Sequence, residues 1–298
     1  MVQPSRKAIE AVKKFQFIDS IELFAGQGNS TTMQLFMPQI NSREFDVLSI
    51  QETLMEVLID FSLTRITIEK YEKNRQWARL SKEARQKFRD YSTNKGELGE
   101  LFLYTFLEGN LGAPQILSKM SLKTTSGDYT KKSDGIHYLK VPNTDRYHLI
   151  FGEAKMYQDI ISGFRDAFES ISTHKSGKEF EKSLISSQIE SEFSDSEDRE
   201  LINAILYPHE ADSVIKVSDA FGIFIGFEID DADGKTKTED EYDEWVKMII
   251  ADTVKSKIST IEKQITSKGL VANNFYVYLM PFVDLDNTRL AITKGITE

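Results

Sequence analysis

Residues 133–155 read Ser133-Asp134-Gly135-Ile136-His137-Tyr138-Leu139-Lys140-Val141-Pro142-Asn143-Thr144-Asp145-Arg146-Tyr147-His148-Leu149-Ile150-Phe151-Gly152-Glu153-Ala154-Lys155. Two strand-like stretches, Asp134–Lys140 and Tyr147–Lys155, flank strong turn chemistry at Val141–Asp145. A hairpin turning on Pro142–Asp145 is centred between residues 143 and 144, and antiparallel partners fall symmetrically about that point. Asp134 and Glu153 are such a pair, with Cβ atoms expected roughly 5 Å apart. The strand period of two points Glu153 and Lys155 to the same face. Two carboxylates that close repel, and a cation between them is the natural remedy. An oxygen-lined site of this kind suits Mg2+ or Mn2+. Such an ion polarises a phosphoryl oxygen and lowers the pKa of a bound water. Lys155 can orient that water or stabilise the charge growing on phosphorus.

Upstream, Gly96-Glu97-Leu98-Gly99-Glu100-Leu101-Phe102-Leu103-Tyr104 opens a helix near Lys95 that Gly109-Asn110 closes, and a strand-like Gln115–Lys123 follows. The first ninety residues carry strand-like Phe15–Phe24 and Thr32–Met37, a helical Ile50–Ser62 and a basic segment. After Lys155 the pattern predicts a helix over Gln158–Ser172, then a polar insert with helices at Glu179–Phe193 and Ser196–Tyr207. Ser194-x-x-Glu197 reads as a capping box for the second of these. Phe221–Phe227 is a buried strand by its continuous apolar run. Thr238-x-x-Glu241 caps a long helix in which Val254, Ile258, Ile261 and Ile265 recur on one face, and Asn274–Phe282 is a final strand. The order is that of an α/β protein.

The 298 residues, 40% of them hydrophobic, suffice for one large domain or two ordinary ones and exclude wholesale disorder. The apolar runs are far shorter than the roughly 20 residues that span a bilayer. No signal peptide is read at the N-terminus, so a soluble, cytoplasmic protein with no membrane partner is expected. With no cysteine, disulfides, thiolate metal sites and a Cys nucleophile are excluded. His137, His148, His174 and His209 show no zinc spacing. There is no G-x-S-x-G elbow. Gly234-Lys235-Thr236 lacks the first glycine of a P-loop and reads as a turn.

The net charge of −10 argues at first against a polyanion partner, but its distribution is uneven. Residues 183–250 hold 18 acidic and 5 basic side chains, whereas Arg65–Lys95 carries 10 basic and 4 acidic. Each run is either a solvated helix face or a functional surface. For the basic run, the functional reading makes Lys70, Lys73, Arg75, Arg79 and Lys82 phosphate contacts.

Asp134 followed by Glu153-x-Lys155 on a strand hairpin, between a Glu-bearing helix and another helix, resembles the PD-(D/E)xK nuclease superfamily. Gly96-x-x-Gly99-Glu100 is similar to its glycine-spaced acidic helix, and Ser133 stands where the motif has proline. The resemblance implies a restriction-endonuclease-like α/β core, a mixed sheet flanked by helices. On that layout residues 1–90 form an N-terminal α+β elaboration packed on the core, and 91–298 form the nuclease domain with an acidic helical insert at about 176–215. It implies Asp134, Glu153 and Lys155 as catalytic residues, with Asp134, Glu153 and Glu100 as metal ligands. Glu97 stays an alternative, since it lies about 60° from Glu100 around the helix; Glu100 is favoured. Lys95–Tyr104, Ser-Asp-Gly-Ile-His and Phe-Gly-Glu-Ala-Lys also resemble the HamA family, nuclease subunits of the Hachiman anti-phage system. That resemblance implies a DNA substrate and a HamB-type helicase partner that restrains the nuclease. Two other readings compete: a catalytically silent α/β adaptor that binds a partner through its acidic helices, and a stand-alone restriction-type endonuclease.

Overall fold

A computed structural model describes residues 2–25, 31–91, 96–117, 133–174, 192–208 and 215–298, together with 182–183, 186–187 and 189–190. Its centre is a seven-stranded mixed sheet in the order β1-β2-β9-β8-β7-β6-β5. The strands are β1 (Gln16–Leu23), β2 (Thr31–Met37), β5 (Gln115–Leu117), β6 (Ile136–Lys140), β7 (Arg146–Met156), β8 (Lys216–Glu228) and β9 (Asn274–Phe282). A separate two-stranded ribbon comprises β3 (Ile40–Asn41) and β4 (Glu44–Phe45). The β1/β2, β6/β7 and β5/β6 pairs are antiparallel. The β2/β9, β9/β8 and β8/β7 pairs are parallel, and the β7-to-β8 and β8-to-β9 connections cross over through helices, as parallel pairing requires.

Helices cover both faces. On one lie α1 (Arg6–Val12), α2 (Val47–Ser62), α3 (Arg65–Lys73), α4 (Trp77–Tyr91), α5 (Glu97–Gly109) and, from the C-terminus, α10 (Leu285–Thr297). On the other lie α6 (Ile160–His174), α7 (Ser196–Leu206), α8 (Glu239–Lys255) and α9 (Ile258–Ser267). Each face has its own apolar core, so the central strands are buried on both sides. That burial accounts for the unbroken apolar run of β8, where Ala220–Phe227 is inaccessible throughout. Helix α5 lies across the sheet through stacked rings, Phe102 on Phe224 and Phe106 on Tyr278, each pair with centroids 5.0 Å apart.

Several sequence expectations need correction. The strand expected from Asp134 starts at Ile136, because Asp134 sits in a bend before it. The cap of α7 is Asp195, whose carboxylate accepts from the Glu197 and Asp198 amides, so Ser194 forms no capping box. The capping box at Thr238 is present. The long helix after it is broken at Ser256–Lys257. Helix α8 packs along β1, tied by Lys255 to Asp19 at 2.8 Å, whereas α9 packs on α6; one straight helix could not follow both. Residues 118–123 of the expected third strand lie outside the described residues, as do Lys95 and parts of Glu179–Phe193.

Candidate active site

The hairpin of β6 and β7 has the register expected from its turn: Ile136 pairs with Phe151, Tyr138 with Leu149 and Lys140 with Tyr147. Beyond the last pair, Gly152 donates its amide to the Gly135 carbonyl at 2.8 Å, and Asp134 donates its own to the Gly152 carbonyl at 2.9 Å. There β6 turns away, and the next amide of β7 needs another acceptor. The Asp134 side chain supplies it, with Oδ2 accepting from the Ala154 amide at 2.8 Å. Asp134 is thereby fixed at the open end of the hairpin, beside the Glu153–Lys155 segment.

On the α6 side of β7, Lys155 Nζ lies 2.6 Å from Glu153 Oε1, and the Glu153 side chain is 13% exposed. Ser170 on α6 also lies near Glu153 and favours its charged form. Burial pushes the Glu153 carboxyl up to about 7, and the Asp134 charge adds to this while Lys155 and Ser170 oppose it. Burial alone would lower the Lys155 ammonium, but the Glu153 and Asp134 charges outweigh it and its pKa is raised. The Asp134 charge raises both, whereas burial raises Glu153 and opposes the shift of Lys155.

The other face of β7 receives α5. A methyl on Gly99 would come 3.3 Å from Ala154 Cβ, and one on Gly152 would come 2.9 Å from Leu103 Cδ2. These glycines let helix and strand approach closely. Tyr104 packs on His137, with centroids 6.1 Å apart, and Glu108 Oε1 accepts from the Gln115 amide, so this side of α5 faces β5 and β6. At about 100° per residue, Glu100 lies between Leu103 and Tyr104, over the β6–β7 junction, whereas Glu97 lies about 20° from Tyr104 and about 120° from Leu103. Both carboxylates are buried.

Among the described residues no three His, Asp or Glu side chains are already gathered around one point. Asp134 is turned onto Ala154 and Glu153 onto Lys155. The donor set nevertheless fits a hard cation: carboxylate oxygens, with Glu153 raised partly by the Asp134 charge that such an ion would neutralise.

Lys70 and Lys73 are in the last turn of α3, Arg75 is in the following loop at a φ of 56°, and Arg79 and Lys82 are on α4. All five are exposed, on helices that pack against α2 and each other. In the acidic segment Glu192 is buried and Asp195 caps α7, whereas Glu190, Glu197, Glu200, Asp230, Asp233 and Glu239 are among the acids that are exposed. Sequence reasoning missed Ser170, Tyr157, Arg165 and Asp166. The available signal was Gly163-x-x-Asp166-x-x-x-Ser170, three residues at helical spacing directly after the Glu-x-Lys strand.

A mixed sheet with helices on both faces and an acidic helix against the Glu-x-Lys strand defines an α/β protein with a nuclease-like core. No curated protein matches the chain. The chain belongs to the HamA family, whose model matches residues 14–296, and that membership supports a role in anti-phage defence. No helix of the described residues is long and apolar enough to cross a membrane.

Proposed function

We propose that this chain is a metal-dependent deoxyribonuclease, the effector of an anti-phage complex restrained by a HamB-type helicase. The observation that carries the reading is the convergence of Asp134, Glu153 and Lys155 at the open end of one hairpin, in a pocket that raises the Glu153 pKa to about 7. Asp134 and Glu153 would hold Mg2+ or Mn2+, with Glu100 as an additional ligand. A bound ion of this kind polarises a phosphoryl oxygen and lowers the pKa of a bound water. Lys155 keeps its proton, because its pKa is raised, and presents a positive charge to the oxygens that gain charge as water attacks phosphorus. Glu153 positions Lys155 through their 2.6 Å contact. The excess of acid in residues 183–250 supports control by a partner, since a net −10 chain meets DNA with repulsion that a second protein's basic surface would offset. The test is incubation of the purified chain with plasmid and Mg2+, Mn2+ or EDTA, alone and with the neighbouring operon product. Cleavage that needs the metal and responds to the partner is expected; no cleavage under any condition would remove the nuclease reading.

A further inference from the structure

Beside the Glu153–Lys155 pair lies a group of side chains that the hydrolytic chemistry does not use. Tyr157 follows the end of β7 and is held there by its amide, which donates to the Gly226 carbonyl at 3.0 Å. Burial and the nearby Asp166 carboxylate on α6 raise the pKa of its hydroxyl. The same Asp166 receives Arg165 Nε on Oδ1 at 3.1 Å. Asp166 thus lies near an aromatic ring and holds a guanidinium beside it. Gly163, one turn earlier on α6, lets this helix approach the sheet beside the site: a methyl there would come 3.1 Å from Ile225 Cγ2 and 3.9 Å from Lys155 Cβ. Tyr157 is 38% exposed, and the Arg165 side chain 59%.

We propose that Tyr157 is a stacking platform for an unpaired base next to the scissile phosphate, and that Arg165 contacts the neighbouring phosphate, so that the site takes single-stranded DNA in preference to duplex. This rests on the nuclease reading. Two residues of extended chain span about 7 Å, so a strand whose phosphate sits at Lys155 passes over Tyr157 within one nucleotide. In a duplex both faces of each base are covered by neighbouring pairs, and a ring can stack only on a base that has left the stack. A tyrosine ring beside an arginine is the pairing expected of a sequence-tolerant single-strand site.

The test uses the full chain with Ca2+ in place of Mg2+ and single-stranded 12-mers carrying 2-aminopurine at successive positions, alongside the same sequences as blunt duplexes. Wild type and Tyr157→Phe should quench one position, and Tyr157→Ala should lose that quenching and bind the single strand about 5- to 150-fold more weakly. Duplex affinity should be unchanged by the substitution. Arg165→Gln should lower the slope of log affinity against log salt by about 0.7 on the single strand. Single-strand affinity and quenching in Tyr157→Ala equal to wild type would overturn the inference while leaving the nuclease reading intact. Failure of wild type to bind either form would count against the nuclease reading and the inference together.

Discussion

Glu108→Gln isolates the pH dependence contributed by one buried carboxyl. Glu108 is 1% exposed, and its two oxygens accept from the Ser5 amide at 2.7 Å and the Gln115 amide at 2.6 Å. It therefore ties the segment before α1 to the start of β5. Burial pushes its pKa from 4.5 up to about 7, against the two amide bonds and Arg65 and with a smaller push from Asp60. The folded value lies above the unfolded one, so the folded state holds the proton more tightly. The associated stability is fully present below about pH 4.5 and is lost as pH rises to about 7. At 1.36 kcal/mol per pH unit, the part of this change that falls between pH 5 and pH 8 is about 2.5 kcal/mol. Glutamine keeps one acceptor but turns an NH2 toward the second amide, a pH-independent cost of about 1–3 kcal/mol. Comparing the pH 5 to pH 8 change in both proteins cancels that cost, along with every other titrating group. Metal-free urea unfolding followed by Trp77 and Trp245 fluorescence measures it. Wild type should lose about 2.5 kcal/mol more than Glu108→Gln across the interval, and identical pH dependence in the two proteins would refute the reasoning.

Asp134→Ala should leave metal-free thermal stability unchanged or raised, because the charge it removes is one that repels Glu153; the lost Ala154 cap limits the gain, and a melt lowered by many degrees would contradict this. Gly152→Ala should cost about 1–3 kcal/mol by forcing Leu103 and α5 off β7, read by thermal melting, and an unchanged melt would mean that the close approach is not needed. Neutralising Lys70, Lys73, Arg75, Arg79 and Lys82 together should weaken DNA binding alike on all sequences and lower the salt slope by about one per contact removed. Unchanged affinity and slope would assign these exposed residues to a solvated face.

The hairpin was readable because its evidence is local. A proline-containing turn centred between Asn143 and Thr144 fixes the register of Ile136 with Phe151, and the strand period then places Glu153 and Lys155 on one side. The point where β6 leaves β7 was not readable, since it depends on the Asp134 side chain replacing a backbone acceptor. Sheet order was also hidden. Nothing near Thr31–Met37 announces that β2 pairs in parallel with β9, more than 200 residues later. The break at Ser256–Lys257 escaped because no glycine or proline marks it and the apolar spacing of Val254, Ile261 and Ile265 continues through it. At the site, the Glu-x-Lys strand stood out by its charges, whereas Ser170, Tyr157, Arg165 and Asp166 matter only through the way α6 folds back onto β7.

The central claim is that Asp134, Glu153 and Lys155 together hydrolyse DNA with a divalent metal. Single-turnover plasmid cleavage in Mg2+, with the partner present, by wild type and by folded Asp134→Ala, Glu153→Ala and Lys155→Ala proteins tests it most directly. The account predicts that each variant falls by at least about a hundredfold while its circular dichroism stays that of wild type. Wild-type cleavage rates in any one of the three folded variants would contradict it.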